Sequence, residues 1–191
     1  MSNDKTITDK KNFIKLMKTI HLNMQKGYSN LETAKQNRMT EVHLDSTINA
    51  YCEVNIGSNN IAASADKQRN HLVEQHPNVR LENPLNPPLD LHMTGGKRDL
   101  SLESEVGGTK AVKHDLKKLE ERPINEDKVM ITEAKSYKSI NGKITDLIKK
   151  TSQNTKHLGH LIVYRQKNKK ANTAKIYIKI YIDGKCFYSD I

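Results

Sequence analysis

The sequence predicts an α+β fold in which a mixed sheet is flanked by helices and preceded by a helical N-terminal region. Three patterns carry that expectation. Ala174 to Ile182 alternates strictly, with Ile176, Ile178, Ile180 and Ile182 on one side and Lys175, Tyr177, Lys179 and Tyr181 on the other, as a strand with one buried face requires. Asp183-Gly184 follows, a two-residue hairpin turn that returns the chain through Lys185-Cys186-Phe187-Tyr188. Two segments with apolar residues at helical spacing, 109–122 (Val112, Leu116, Leu119) and 140–156 (Ile144, Leu147, Ile148), alternate with strand-length apolar runs at 128–136 and 158–164.

The other elements follow in chain order. Residues 8–25 place Phe13, Leu16, Met17, Ile20 and Met24 on one helical face, with Thr8 or Asp9 as cap and Gly27 as stop. A weaker helix is expected over 30–39, and a third from Asp45 through Ile48, Tyr51 and Cys52. Gly57-Ser58-Asn59-Asn60 marks a boundary between a helical accessory region, 1–60, and an α/β domain, 61–191. Within that domain 62–75 reads as helix and 78–81 as a short strand. The prolines at 84, 87 and 88 remove backbone donors and exclude helix or central strand there. Thr94 to Arg98 is a basic turn. Asp99 to Val106 alternates again, Leu100 and Leu102 against Asp99, Ser101, Glu103 and Glu105, and 165–170 is expected to be a basic loop.

Composition limits the partners. Apolar residues are only 35% of the 191, so a compact core with a less hydrophobic periphery is expected. The net charge of +10 favours a polyanionic partner, nucleic acid before an anionic membrane. No apolar run approaches the roughly 20 residues that span a bilayer, and the polar start lacks the apolar stretch of a secretory signal. Cys52 and Cys186 lie far apart without metal-ligand spacing and read as reduced packing residues. A cytoplasmic location, or delivery into a target cell's cytoplasm, is the expectation.

Chemistry concentrates at Val129-Met130-Ile131-Thr132-Glu133-Ala134-Lys135-Ser136. Glu133 and Lys135, two apart, project side by side at the end of an apolar strand. A carboxylate beside an ammonium there is costly to desolvate unless something uses both, as a divalent metal and a phosphodiester would. One acid holds a metal poorly. The polar face of 99–105 offers a second in Asp99, Glu103 or Glu105. His157 and His160, at a helix-to-strand turn, are a metal-independent acid–base alternative.

In these residues the chain resembles the PD-(D/E)xK nuclease superfamily over about residues 64–165. The family core is a helix, a strand, a second strand bearing the Asp, a third bearing (D/E)xK, a helix and a further strand. Arg98-Asp99 takes the "PD" place, with Arg98 where proline is usual, and Glu133-Ala134-Lys135 matches ExK. The interval between them contains a whole helix, which leaves room for Glu103 or Glu105 to replace Asp99 as ligand. The resemblance implies a restriction-endonuclease-like sheet and a Mg²⁺- or Mn²⁺-dependent endonuclease acting on DNA in preference to RNA, of toxin or restriction type. It implies Asp99, Glu103 and Glu133 as metal ligands, Lys135 and a first-helix acid, Glu74, as catalytic partners, and nucleic-acid contacts from Lys97, Arg98, Lys143, Lys149, Gln153, Arg165, Lys167, Lys169 and Lys170. An acidic inhibitor or immunity protein and a homodimer are further implied partners. The alternative from another class is a non-catalytic basic nucleic-acid-binding protein, in which Glu133 and Lys135 form a strand-end ion pair.

Overall fold

A computed structural model of the protein describes residues 2–29, 36–56, 79–81, 89–93, 96–106, 108–134, 143–152, 155–168 and 173–190. Among these, seven strands form one mixed sheet in sequential order: β1 (Val79–Leu81), β2 (Leu91–Met93), β3 (Leu100–Val106), β4 (Asp127–Ala134), β5 (Leu158–Asn168), β6 (Thr173–Ile182) and β7 (Lys185–Ser189). The central β3, β4 and β5 are parallel, while β1–β2–β3 and β5–β6–β7 pair antiparallel. Helices α1 (Ser2–Ser29) and α2 (Gln36–Tyr51) belong to one face; α3 (Thr109–Glu120) and α4 (Lys143–Ser152) cover the other. The parallel connections require the crossover helices α3 and α4, because a parallel pair cannot be closed by a tight hairpin. The fold is the expected α+β class.

The principal core lies between the N-terminal helices and the sheet. Phe13, Leu16, Met17, Ile20, Met24 and Tyr28 of α1 pack with Leu100, Leu102, Val129, Ile131, Leu161, Val163, Ile178 and Ile180. Residues 2–56 therefore supply about half of the buried side chains of the main core. Close approach is built in at Gly159 of β5, where an added Cβ would lie 2.4 Å from the Met17 thioether and 3.1 Å from Phe13. Gly27, expected to stop α1, is instead a packing site: the helix continues to Ser29, and an added Cβ would sit 2.9 Å from Val42 of α2. The two weak helices expected over 30–52 merge into α2, which passes into a π-helical turn at Cys52–Ile56.

The alternating strands behave as their patterns require. Ile178, Ile180 and Ile182 of β6 enter the α1 core, and Asp183 and Gly184 take positive φ at the hairpin (49° and 80°). β5 runs through residues 165–168, expected to be loop, because β6 pairs with it as far as Asn168↔Thr173. The expected helix 62–75 and the Gly57–Asn60 boundary lie outside the described residues. No helix among the described residues is long and apolar enough to cross a membrane.

Two core imidazoles tie stability to pH. His43 is fully buried between Tyr28 and Ser104, with Nδ1 2.7 Å from Ser104 Oγ; His160 Nε2 lies 2.7 Å from Thr132 Oγ1. Burial pushes both from the ordinary 6.5 down to about 3, so the folded protein excludes protons that the unfolded chain takes up. Their contribution is complete above pH 6.5 and is lost as pH falls towards 3. Denaturant melts at a series of pH values should show stability declining below pH 6.5, with a shallower slope in His43→Gln. Separately, Phe13→Ala should cost about 3–5 kcal/mol in urea unfolding.

Candidate functional site

Register decides which acids can meet. Leu102 pairs with Val129 and Val106 with Glu133, so Glu133 shares a face with Leu100, Leu102 and Ile131, against α1 and α2. Asp99, Ser101, Glu103 and Glu105 point to the opposite face, under α3. The structure thus does not bring Glu133 together with Asp99, Glu103 or Glu105. Glu133 pairs instead with Arg165 (3.9 Å), beneath Tyr28. Arg165, expected to contact phosphates, has a side chain only 6% exposed and is turned into this face.

The α3 face gathers a different group. Asp90, immediately before β2, falls opposite Glu103 when the register Leu91↔Leu102 is extended by one residue. Its Oδ2 accepts the Ser104 N–H at 2.8 Å, which fixes the carboxylate beside Glu103. Asp115 and Lys118, three apart on α3, reach down onto the same place: Lys118 Nζ lies 3.7 Å from Asp115 Oδ1 and 3.9 Å from Glu103 Oε1. Glu105 shares a hydrogen bond with Asp115. Four carboxyl groups and one ammonium thus converge near the C-terminal end of β3. In open α/β sheets, ligands bind outside the carboxyl ends of the strands.

The electrostatics are strained. Glu103 is 1% exposed, and its Oε1 has no hydrogen-bond partner. Burial first, then the neighbouring Asp90 and Asp115 carboxylates, push its pKa from 4.5 up to about 9, against the opposing pull of Lys118. Burial likewise raises Asp90 and Glu105. A divalent cation there would take the place of the proton on Glu103, although among the described residues it is His92, Asp99 and Glu126 whose ligand atoms all lie within 4.8 Å of one another.

A second group lies on the same face, towards the start of β3. His92, Asp99 and Glu126 each offer one ligand atom within 4.8 Å of the others, a set that could hold a metal ion. Arg122 already occupies Glu126, donating from Nε (2.9 Å) and Nη2, and the Ser101 hydroxyl donates to it at 2.8 Å. Burial alone would raise Glu126, but Arg122 and Ser101 outweigh it and hold its pKa below the ordinary value. A cation there would have to displace a guanidinium at 2.9 Å; at Glu103 it would meet only the Lys118 ammonium, 3.9 Å from Oε1.

The remaining expected residues divide. Arg98 donates to Asp127 (2.8 Å) and Asp9 (3.3 Å), pinning α1 to the start of β4 instead of facing a ligand. Lys97 and Lys149 are exposed; Lys143 and Lys167 belong to α4 and β5. Glu74, Lys135, Gln153, Lys169 and Lys170 lie outside the described residues. His160 is sealed in the sheet and His157 is held by Asp127 at 3.0 Å, so they do not form an acid–base pair. Asp90 and Lys118 were missed by sequence reasoning: β2 is three residues long and follows a proline run, so it carries no readable period, and Lys118 looks like any solvated helix lysine.

No family model matches the chain, and no curated protein matches it in sequence. Among solved structures it is similar to the central domain of yeast acetyl-CoA carboxylase, at 8% identity and a TM-score of 0.34, over 92% of this chain and 34% of that one. The chain thus spans about a third of that structure's length, and at this similarity neither fold nor activity transfers.

The raised Glu103 pKa has a measurable consequence. The folded state holds a proton that the unfolded chain releases near 4.5, so the contribution is full below pH 4.5 and is lost as pH rises through about 9. Glu103→Gln removes the penalty. In thermal melts without metal it should exceed wild type at pH 8 by a few degrees, at ~2–4 °C per kcal/mol for a chain of this size, and the gap should close towards pH 4.5.

Proposed function

We propose that the protein is a divalent-metal-dependent nuclease whose reaction centre is formed by Asp90, Glu103, Glu105 and Lys118. The observation that carries this reading is the buried Glu103 carboxyl, which has no hydrogen bond at Oε1, only the Lys118 ammonium at 3.9 Å, and is crowded by Asp90 and Asp115. A stability-driven core would replace such a group, whereas a cation site requires it.

The family order supports the same assignment with one strand's displacement. β1, β2 with Asp90 at its start, β3 with Glu103-Ser104-Glu105, α3 and β4 follow the PD-(D/E)xK core without an inserted helix. Pro88-Leu89-Asp90 then takes the "PD" place. Glu105 stands where the motif has lysine, and Lys118 from the following helix supplies the ammonium.

Asp90, Glu103 and Glu105 would hold Mg²⁺ or Mn²⁺, with Asp90 kept in place by the Ser104 N–H. When bound, the ion lowers the pKa of a coordinated water and offsets charge on the scissile phosphate. Lys118 places its ammonium beside the attacked phosphate, where it neutralises charge in the transition state. Exposed Lys97 and Lys149 add sequence-independent phosphate attraction, consistent with the charge of +10. DNA is the preferred substrate in this reading, and cleavage occurs in a cytoplasm, the protein's own or a target cell's. A basic enzyme of this type would be restrained by an acidic inhibitor.

The test is cleavage of plasmid DNA, single-stranded DNA and tRNA with Mg²⁺, Mn²⁺ or EDTA. Wild type should cut only with metal, and Lys118→Met should lose about 100-fold or more. Glu103→Gln and Asp90→Asn should be inactive while remaining folded. Glu133→Gln should keep its cleavage. Metal-independent cutting, no cutting, or loss in Glu133→Gln alone would overturn the assignment.

A further inference from the structure

The face that carries the acids continues across the sheet. One row of paired residues runs Glu105, Thr132, Ile162, Lys179 from β3 to β6, all on the α3–α4 side, with Thr132 and Ile162 buried and Tyr164 packed against the cluster that includes Ile144 and Ile148 of α4. One pair further along, at the same C-terminal end of β5, Tyr164 stands opposite Tyr177. Their rings are near-parallel (19°), with centroids 6.3 Å apart, and both are half-buried. Lys175 Nζ lies 5.4 Å from the Tyr177 ring centre, and Lys179 Nζ lies 5.6 Å from that of Tyr181. Gln166 is exposed beside them, accepting from the Tyr177 hydroxyl at 3.5 Å. Three interstrand spacings separate β3 from β6, about 14 Å.

We propose that this β5–β6 face binds single-stranded nucleic acid, with unpaired bases stacking on Tyr164 and Tyr177 and the backbone running past Lys175 along the C-terminal ends of the parallel strands, outside the buried Thr132 and Ile162, towards the acids on β3. The inference deepens the nuclease reading by naming its substrate class, and its place beside a cutting centre rests on that reading. Aligned aromatic faces with adjacent cations are what a strand with exposed bases uses; a duplex hides its base faces and would engage the lysines alone. The tyrosines also act as a cross-strand pair, which stabilises the sheet whether or not a base binds. Substitutions that keep or remove the ring separate the two roles.

The experiment is fluorescence anisotropy of labelled oligo-dT, oligo-U and a duplex, with full-length protein in EDTA so that nothing is cut. Both single strands should bind more tightly than the duplex at moderate salt. Tyr177→Thr and Tyr164→Thr should each weaken single-strand binding by about 5- to 100-fold, the loss of one stacked base, and Tyr177→Phe should bind like wild type. Lys175→Ser should weaken single strand and duplex together. Thermal melts identify any variant that has lost its fold, for which the Phe variant and Lys175→Ser carry the test. Equal affinity for single strand and duplex, or single-strand affinity unmoved by Tyr177→Thr, would overturn the proposal. Because binding is read without metal, absent cleavage with intact single-strand preference removes the nuclease reading alone. Cleavage with no such preference removes this proposal alone.

Discussion

The register between β3 and β4 is the constraint on which the rest depends. Pairing Leu102 with Val129 gives both strands a common apolar face for α1 and α2, and a one-residue slip would turn every side chain of β4 over. The same pairing sends Glu103 and Glu133 to opposite sides of the sheet. With the hydrophobic face fixed, the acids that can meet at Glu103 are those that alternate with Leu100 and Leu102, together with what β2 and α3 add from either side. The site is therefore a by-product of the core: burial of the leucines positions the carboxylates.

The two faces use polar groups differently. On the α1–α2 face, the Glu133 carboxylate is matched by one guanidinium, that of Arg165, and His43 lies between Tyr28 and Ser104. On the α3 face, Arg122 satisfies Glu126 but only Lys118 opposes the carboxylates around Glu103. Carboxyl groups that outnumber their cations in a desolvated cluster lower stability, and folded proteins retain them chiefly where they are used. That asymmetry is the ground for the proposed site on the α3 face, and the tyrosine–lysine stripe on β5 and β6 lies on the same side.

Much of this architecture was legible in the sequence. The isoleucine alternation of β6, its Asp183-Gly184 turn and the amphipathic stripe Val112–Leu116–Leu119 each encode a local period that the tertiary structure keeps. The acidic face of β3 was equally readable. Pairing was not. Nothing local states that Val129 meets Leu102 instead of Ser101, so the face of Glu133 could not be read from its own strand. Arg165 looked like part of a basic loop because its neighbours are polar, whereas pairing with β6 extends β5 and turns it inward. Asp90 escaped because three strand residues between a proline run and a glycine turn carry too little pattern.

Soaking crystals in Mn²⁺ and locating the ion by its anomalous signal tests the central claim most directly. The account places the peak among Asp90, Glu103 and Glu105, with Lys118 alongside, and predicts that it disappears in Glu103→Gln. A peak at Glu133, or one confined to His92, Asp99 and Glu126 and unaffected by that substitution, would contradict it.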